Sequence, residues 1–293
     1  MKITLVGAGR VGVHLAKYFS DEEQDVFLLD NNAKHISVLE SDFNLRTFRG
    51  DSTDFEDLRK AGAENADIFV AVTGNTAENL VSCATAKSMG ARKTISRVEK
   101  FSYVEVGNAD VIKRMGVDHV VFPDYLAAQS VINSLEHAWC KDWSEFENGA
   151  IILVSIVVEE NSPICGRFLK ELAAESRLLH ISALRRNHTT LIPNGDDRIL
   201  PSDELYITST AEGIKKVMEI TGKVQTPHIK KVILMGGSTV SELVARLSGN
   251  KFSLVIIEKD VERCREVAEK LSRLRHYLWR CERTRCVGRG RHL

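Results

Sequence analysis

The hexapeptide Gly7–Gly12 constrains the fold of this chain more than any other segment. It reads Gly-Ala-Gly-Arg-Val-Gly and directly follows the apolar run Ile3–Val6. In such a G-x-G-x-x-G loop the first glycine allows a tight turn, the second lets backbone N–H groups approach a pyrophosphate, and the third lets a helix pack closely on the strand. The helix N-terminus then offers N–H groups and a positive dipole end to phosphates. The loop therefore predicts a nucleotide site, the alternative being a glycine-rich turn without a ligand.

Asp30 strengthens the prediction of a nucleotide site. It ends the second apolar run, 18 residues after Gly12. A carboxylate there can accept hydrogen bonds from both ribose hydroxyls and repels a 2′-phosphate. Asn31 and Asn32 follow it, with no arginine to hold such a phosphate. The spacing favours NAD over NADP.

The first 122 residues alternate short apolar runs with helical patterns, which predicts βαβ units and a parallel sheet. In the first helix Val11, Leu15 and Phe19 recur every four residues and are predicted to share one face. The fold class is α/β, a Rossmann-like doubly wound sheet. Its predicted strands are Ile3–Val6, Val26–Leu29, Leu45–Phe48, Ile68–Val72, Thr94–Val98 and His119–Phe122.

Further candidate contacts follow the later strands, because ligands of open α/β sheets bind at the carboxyl ends of the strands. Gly50-Asp51 follows the third strand, Thr73-Gly74 the fourth, and Arg97 and Lys100 lie at or after the end of the fifth. The predicted cofactor-binding residues are Gly7, Ala8, Gly9, Arg10, Val11, Gly12, Asp30, Asp51, Thr73, Gly74, Arg97 and Lys100.

No catalytic constellation accompanies this site in the sequence. His14, His35 and His119 stand near no obvious nucleophile, and Cys83 has no histidine close to it. An NAD-dependent oxidoreductase would need an acid or base beside the nicotinamide. That activity is kept as the alternative to a binding protein that catalyses no reaction.

Residues 1–122 resemble the N-terminal domain of the RCK (KTN) family. The resemblance rests on the glycine loop together with Asp30, Gly50-Asp51, Ala71–Leu80 and Ser96-Arg97-Val98. It implies a domain that binds NAD(H) or adenine nucleotides such as ATP/ADP, forms dimers and performs no reaction. It also implies docking on the cytoplasmic side of a potassium channel or transporter.

The middle of the chain carries a different pattern. A helical pattern over Pro123–Trp143 predicts a crossover or dimer-interface helix, or a helix that packs on its own sheet. Residues 146–224 predict a small α+β domain of short strands and two helices. With Pro193-Asn194-Gly195 and Ile199–Leu205, this domain resembles the RCK C-terminal domain. It could bind a small effector or mediate dimer contacts.

The first nucleotide unit is partly repeated. Lys231–Gly236 is similar in sequence to Lys2–Gly7, and Leu254–Glu258 is similar to Val26–Asp30. Tandem units resemble the peripheral regulatory subunit of a potassium uptake system, whose implied partner is a potassium-translocating membrane subunit. Serines Ser238 and Ser241 replace the second and third glycines, and a side chain there hinders approach of a phosphate, although Glu258 could still hold a ribose.

The zero formal net charge conceals an uneven distribution. Residues 1–273 carry 34 basic and 39 acidic side chains, whereas residues 274–293 carry six arginines and one glutamate. The acidic body argues against nucleic acid as a partner. We expect no strand and no Gly-Asp pair in the tail, and we expect the counterpart of Gly50-Asp51 near Trp279-Arg280.

Three interpretations of this tail stay open. With suitable codons Leu278–Cys281 reads Cys-Gly-Asp-Ala one nucleotide later, which suggests a frameshift. A real basic arm could instead meet nucleic acid or an acidic membrane surface. Zinc on Cys281 and Cys286 with His276 or His292 matches no standard spacing.

The remaining expectations concern location and organisation. There is no apolar stretch of about 20 residues to cross a bilayer, no signal peptide, and the six scattered cysteines suit a reducing compartment. We expect a cytoplasmic protein, peripheral at the inner face of the membrane, that forms homodimers or larger homo-oligomers. The predicted segments are 1–122 (nucleotide-binding), 123–145 (linker helix), 146–224 (C-terminal RCK domain), 228–273 (start of the second unit) and 274–293 (aberrant basic tail).

Overall fold

A computed structural model describes residues 1–40, 45–175, 177–224, 229–271 and 277–281 of the chain. It divides into two compact units, one comprising Met1–Leu126 and the other beginning at Ala127. In the described residues no helix is long and apolar enough to cross a membrane.

The first unit is a six-stranded parallel sheet with helices between its strands. The strand order is β3-β2-β1-β4-β5-β6, so the order reverses between β1 and β4. This arrangement confirms the predicted doubly wound fold. The elements in chain order are β1 Lys2–Val6, α1 Arg10–Asp21, β2 Asp25–Asp30, α2 Ala33–Glu40, β3 Arg46–Arg49, α3 Phe55–Lys60, β4 Ile68–Ala71, α4 Thr76–Met89, β5 Lys93–Arg97, α5 Ala109–Arg114, β6 His119–Val121 and α6 Pro123–Glu136, whose residues from Ala127 onward belong to the second unit.

Helix α1 packs on the sheet through its smallest residues. Gly12 and Ala16 are buried, and Leu15 and Phe19 are partly buried beside the core. Val11 remains 39% exposed, so the predicted Val11–Leu15–Phe19 face is only partly correct. The helix approaches the sheet so closely that the positions in contact must be small.

The second unit contains an antiparallel sheet of order β10-β9-β11-β8-β7. One core of aliphatic side chains, among them Val154, Ile156, Leu205 and Ile207, lies beneath it. Its elements are β7 Asp142–Phe146, β8 Ile151–Val157, α7 Leu169–Glu175, β9 Leu179–Arg186, β10 Thr189–Leu191, β11 Glu204–Ser209 and α8 Ile214–Thr221.

The helix predicted over Pro123–Trp143 is too long. Helix α6 ends at Glu136, and Asp142–Phe146 forms an edge strand paired antiparallel with β8. The ring of Trp143 packs against the core of the antiparallel sheet, as does that of Trp139. Cross-strand pairing with β8 and burial of an aromatic side chain outweigh the local helical pattern. The end of the predicted linker therefore belongs to the second sheet.

A short parallel sheet of order β12-β13-β14 follows. Its elements repeat β1, α1, β2, α2 and β3 in order and direction. They are β12 Lys231–Met235, α9 Thr239–Ser248, β13 Ser253–Glu258, α10 Val261–Leu271 and β14 Tyr277–Cys281.

Strand β14 corrects the expectation that the tail contains no strand. Cys281 pairs with Glu258 as Arg49 pairs with Asp30, so the position matching Gly50 follows Cys281 rather than falling at Trp279-Arg280. The run Tyr277–Trp279 favours a strand, but the arginines on either side of it interrupt the apolar pattern from which a strand is predicted. Residues 274–276 and 282–293 lie outside the described residues, so the frameshift, basic-arm and zinc hypotheses stay predictions.

Candidate nucleotide site at the carboxyl edge of the first sheet

The glycine loop turns sharply out of β1. Gly7 has a φ of 98°, a conformation that favours glycine, and its N–H donates to the carbonyl of Leu29 over 2.9 Å. A Cβ at Gly12 would lie 1.7 Å from the carbonyl oxygen of Gly7. Glycine is therefore required at both positions by the protein's own structure.

Gly9 is different, because nothing in the protein requires a glycine there. Its backbone is extended, with φ −72° and ψ −176°, and a Cβ at this position would have no described atom within 4 Å. It is the N-cap of α1 and supplies no side chain to cap the helix. The first N–H groups of a helix have no partner within the helix. Gly9 thus leaves open space directly in front of groups that bind anions.

The carboxylate of Asp30 is held against this loop. It accepts from the N–H of Ala8 over 2.5 Å and from the N–H of Asn32 over 2.7 Å. His35 Nδ1 lies 3.4 Å from Oδ1, the oxygen that accepts from Asn32, and only 11% of the Asp30 side chain is exposed. Each carboxylate oxygen has two lone pairs, so these contacts orient Asp30 without exhausting its capacity to accept.

Buried Asn79 joins the ends of β4 and β5. Its amide oxygen accepts from the N–H and the hydroxyl of Thr73, over 2.9 and 2.7 Å. Its NH₂ group donates to the carbonyl oxygens of Thr73 and Arg97, over 3.1 and 3.0 Å. The side chain of Arg97 has a buried Nε with no partner among the described residues, and one terminal nitrogen 3.4 Å from Glu99.

A cavity of about 210 Å³ lies where these elements meet. Four predicted residues line it, namely Gly7, Asp30, Thr73 and Gly74. Gly74, like Gly9, would accept a Cβ without any contact within 4 Å. Val6, Leu29, Asn31, Gly50, Ser52 and Glu78 complete the lining.

Sequence reasoning missed Ser52 and Glu78. The hydroxyl of Ser52 donates to Glu78 Oε1 over 2.6 Å, which links the loop after β3 to the first turn of α4. Ser52 follows the end of β3, but Glu78 lies within a helix rather than at a strand end. Nothing local distinguishes them as residues that face the cavity.

The other predicted residues do not line the cavity. Ala8 to Gly12 form the loop and first turn beside it, and Arg97 and exposed Lys100 lie at and after the end of β5. Asp51 turns toward Thr53, whose N–H and hydroxyl donate to it over 2.8 and 2.7 Å. These hydrogen bonds from Thr53 lower the pKa of Asp51.

The second glycine loop repeats the first but is closed by its own side chains. Gly236 has a φ of 100°, and Gly237 N–H donates to Glu258 Oε2 over 2.6 Å, as Ala8 does to Asp30. Ser238 Oγ, however, accepts from the N–H of Ser241, and Ser241 Oγ donates to the Gly236 carbonyl over 2.7 Å. The hydrogen bonds from Asp260 and Gly237 lower the pKa of Glu258.

Cys83 of α4 is not a candidate nucleophile. Burial raises the pKa of the Cys83 thiol to about 12, and its Sγ donates to the carbonyl of Ile95. A thiol with a raised pKa is a poor nucleophile. Among the described residues no three histidine, cysteine or acidic side chains are grouped to hold a metal ion.

A parallel sheet whose strand order reverses beside a glycine loop and a strand-end carboxylate defines a Rossmann-type domain. Residues 3–123 match the TrkA-N domain and residues 153–222 match the TrkA-C domain. The chain thus carries a TrkA-N domain followed by a TrkA-C domain.

The chain is similar to Trk system potassium uptake proteins. The Trk system potassium uptake protein TrkA of Halomonas elongata is 27% identical over 276 residues, which cover 93% of this chain and 60% of that protein. A TrkA homolog of Archaeoglobus fulgidus is 29% identical over 278 residues, 94% of this chain and 62% of that protein. The chain thus spans about three fifths of the length of these relatives.

Solved structures share the fold. The GsuK RCK domain superposes with a TM-score of 0.62 at 15% identity, over 88% of this chain and 55% of that chain. The GsuK channel bound to NAD superposes with a TM-score of 0.63 at 14% identity, over 95% of this chain and 52% of that chain. At these identities the likeness concerns the fold alone.

Proposed function

We propose that this chain is a nucleotide-sensing regulatory subunit of a Trk-type potassium uptake system. It binds NAD(H), or the adenine nucleotides ATP/ADP, at the loop Gly7–Gly12. The bound nucleotide favours one arrangement of the regulatory assembly and thereby gates a TrkH-like, potassium-translocating membrane subunit. The relatives that bear the name of a potassium uptake protein support this role, as does the NAD bound to the GsuK channel, which shares the fold.

The observation that carries the proposal is the empty space around Gly9. A glycine that neither the backbone conformation nor the packing demands leaves room for something outside the chain. The N–H groups at the start of α1 and the helix dipole favour an anion in that space. Phosphates of a nucleotide match this chemistry.

Asp30 supplies the second feature of nucleotide recognition. Its remaining lone pairs can accept from the two hydroxyls of a ribose, and its charge would repel a 2′-phosphate. The hydrogen bonds from Ala8 and Asn32 hold it beside the glycine loop. This arrangement favours NAD(H) and other nucleotides with a free ribose over NADP(H).

Arg97 supplies a third feature. Its buried Nε lacks a partner among the described residues, and a buried donor without a partner is costly. We propose that Arg97 Nε–H donates to a phosphate or ribose oxygen of the bound nucleotide. Exposed Lys100, three residues further on, adds positive charge at the same edge of the sheet.

Regulation then needs no reaction. A ligand shifts an equilibrium between two arrangements only by its difference in affinity for them. We propose that the chain acts as a homodimer or larger homo-oligomer, at the cytoplasmic face of the membrane, and that nucleic acid is not a partner.

Titration with NADH, NAD⁺, ATP and ADP tests the site. Asp30→Ala should weaken binding by about tenfold or more, which corresponds to about 1.4 kcal/mol. Glu258→Ala is the matched control, because Glu258 makes the same backbone contact in the loop that serines close. If the two variants lose nucleotide affinity equally, or if neither loses any, the first loop is not the nucleotide site.

A hydride-transfer assay distinguishes the regulatory role from the alternative, an NAD-dependent oxidoreductase. NADH that is incubated with the chain and candidate carbonyl substrates should remain unoxidised, even after it has bound and dissociated many times. Potassium uptake should depend on the nucleotide when the chain is reconstituted with the membrane subunit. Uptake that Asp30→Ala leaves unchanged would refute nucleotide gating even if the nucleotide binds.

A further inference from the structure

His35 contacts the carboxylate to which the ribose of the nucleotide is assigned. It lies in the first turn of α2, and its Nδ1 is 3.4 Å from Asp30 Oδ1. Its other ring nitrogen, Nε2, lies 3.2 Å from the amide nitrogen of Asn32. The side chain of His35 is 46% exposed, whereas that of Asp30 is 11% exposed. The imidazole therefore lies between solvent and the carboxylate.

The hydrogen bonds of Asn32 indicate which ring nitrogen of His35 carries a proton. Asn32 Oδ1 accepts from the N–H of Lys34 over 3.0 Å, so the NH₂ group of Asn32 is the part that faces His35. An NH₂ group only donates, so Nε2 of His35 accepts. The ring is then neutral, with its proton on Nδ1, the nitrogen beside Asp30. In this arrangement the charge of the pair is that of Asp30 alone.

Protonation of His35 changes the charge beside Asp30. Histidine is the side chain whose charge ordinarily changes between about pH 5 and 8. A protonated ring carries an N–H group at both nitrogens. The N–H at Nε2 then faces the NH₂ group of Asn32, donor against donor, while the positive charge of the ring lies next to the carboxylate. At such a short distance this charge offsets the negative charge of Asp30.

The neighbouring charged groups do not change their charge in this pH range. Among the side chains described on α2 and after β2 and β3, Lys34 precedes His35, and Arg49 lies opposite Asp30 in the parallel pair. Lysine and arginine stay positively charged throughout the range. Asp51 stays negative, because hydrogen bonds from Thr53 lower its pKa. The change of charge at this end of the sheet therefore comes from the imidazole.

We propose that the protonation state of His35 sets the preference of the site for NAD(H) over NADP(H). This inference rests on the proposed nucleotide site, because it needs a ribose bound at Asp30. While His35 is neutral, the charge of Asp30 repels a 2′-phosphate. Once His35 is protonated, its positive charge offsets that repulsion beside the ribose. Acidification therefore changes which dinucleotides the chain binds.

The test compares the affinities of NAD⁺ and NADP⁺ at about pH 8 and about pH 6, by calorimetry at a constant low ionic strength, because salt screens charges. A 2′-phosphate also takes up a proton in this range, so His35→Gln supplies the baseline. Glutamine keeps a donor and an acceptor but does not titrate. On acidification the preference for NAD⁺ should fall by about fivefold more in the wild type than in His35→Gln.

His119→Gln is the matched control, because His119 is exposed and begins β6, at the edge of the sheet opposite the candidate site. It should keep the wild-type response to pH. Equal responses to pH in the wild type and His35→Gln overturn the inference, and the nucleotide site stands if Asp30→Ala still weakens NAD⁺ binding. If Asp30→Ala binds NAD⁺ as tightly as the wild type, the nucleotide site is wrong and the inference fails with it.

Discussion

The side chain of Asn79 donates a hydrogen bond to the main-chain oxygen of Arg97 over 3.0 Å. Asn79 belongs to α4 and Arg97 ends β5, and the same amide also holds Thr73 at the end of β4. One buried side chain thus sets the spacing of two strand ends at the candidate nucleotide site.

Replacing Asn79 by alanine should destabilise the first unit by about 3 kcal/mol, because buried groups of Thr73 and Arg97 lose their partners. Asn75→Ala is the comparison. Asn75 caps the same helix through the N–H groups of Ala77 and Glu78, and loss of a cap costs about 1 kcal/mol. Urea unfolding followed by circular dichroism measures both. The assignment fails if Asn79→Ala costs no more than Asn75→Ala.

Alanine at Gly9 should mainly weaken nucleotide binding, whereas alanine at Gly12 should mainly lower the stability of the fold. Gly9→Ala meets open space and loses only the preference of an N-cap for glycine over alanine, so stability should fall by less than about 1 kcal/mol, while NADH affinity falls by about tenfold. Gly12→Ala forces a Cβ onto the Gly7 carbonyl and should cost about 1–3 kcal/mol or more. Thermal unfolding and NADH titration of both variants check this. Wild-type affinity in Gly9→Ala would show that the space is not used by the nucleotide.

Stability should fall at acid pH through Asp118. Partial burial raises the pKa of this carboxyl, but the hydrogen bonds from Lys87 and Thr94 outweigh burial and hold the pKa below its ordinary value. A carboxyl with a lowered pKa in the folded state stabilises the protein above the pKa of the unfolded state, about 3.9, and this stabilisation is lost as the pH falls through the lowered value.

Urea unfolding at a series of pH values tests the role of Asp118. Asp118→Asn should be less stable than the wild type at neutral pH and should lose less stability on acidification. Asp21→Asn, which removes an exposed carboxyl from α1, is the control for the loss of one negative charge. An unchanged acid dependence in Asp118→Asn would contradict the assignment.

The ion pair between Arg186 and Asp203 should dominate the stability of the antiparallel sheet. Asp203 is buried and receives two hydrogen bonds of 2.7 Å from the guanidinium, which raise the pKa of Arg186. Arg186→Met leaves that carboxylate buried without its charge partner and should cost about 3–5 kcal/mol. The fluorescence of Trp139 and Trp143, which pack against this core, reports its unfolding.

A second substitution distinguishes the contribution of the Arg186–Asp203 charges to stability from the contribution of the packing around them. Arg186→Met combined with Asp203→Leu removes both charges and should recover part of the loss, because no uncompensated charge remains. The N–H of Leu200 also donates to Asp203, so recovery should be incomplete. A double variant no more stable than Arg186→Met alone would mean that the charges themselves do not set the stability.

The sheet of the first unit could be predicted because its signals are local. Buried parallel strands are short apolar runs, and the glycine loop and Asp30 carry a spacing with a physical cause. The sequence does not predict β7, because its pairing with β8 is a contact between segments, whereas the helical pattern before it is local. It does not predict β14 either, because basic residues interrupt the run of aromatic and aliphatic residues.

The candidate site was predictable only as far as the edge of the sheet. The rule that ligands bind at strand carboxyl ends leads to Asp30, Thr73 and Gly74, and these three residues line the cavity. It could not separate Ser52, which faces the cavity, from Asp51, which turns to Thr53. That choice depends on hydrogen bonds formed only after the loop has folded.

The serines of the second loop have a consequence for stoichiometry. The hydroxyls of Ser238 and Ser241 make hydrogen bonds to the second loop for which the first loop, with glycine at both positions, has no side chain. The second loop of each chain therefore supplies its own hydrogen-bond partners, whereas we propose that the first loop binds a nucleotide. We expect one nucleotide for each chain, so calorimetric occupancy would count the chains in any assembly directly.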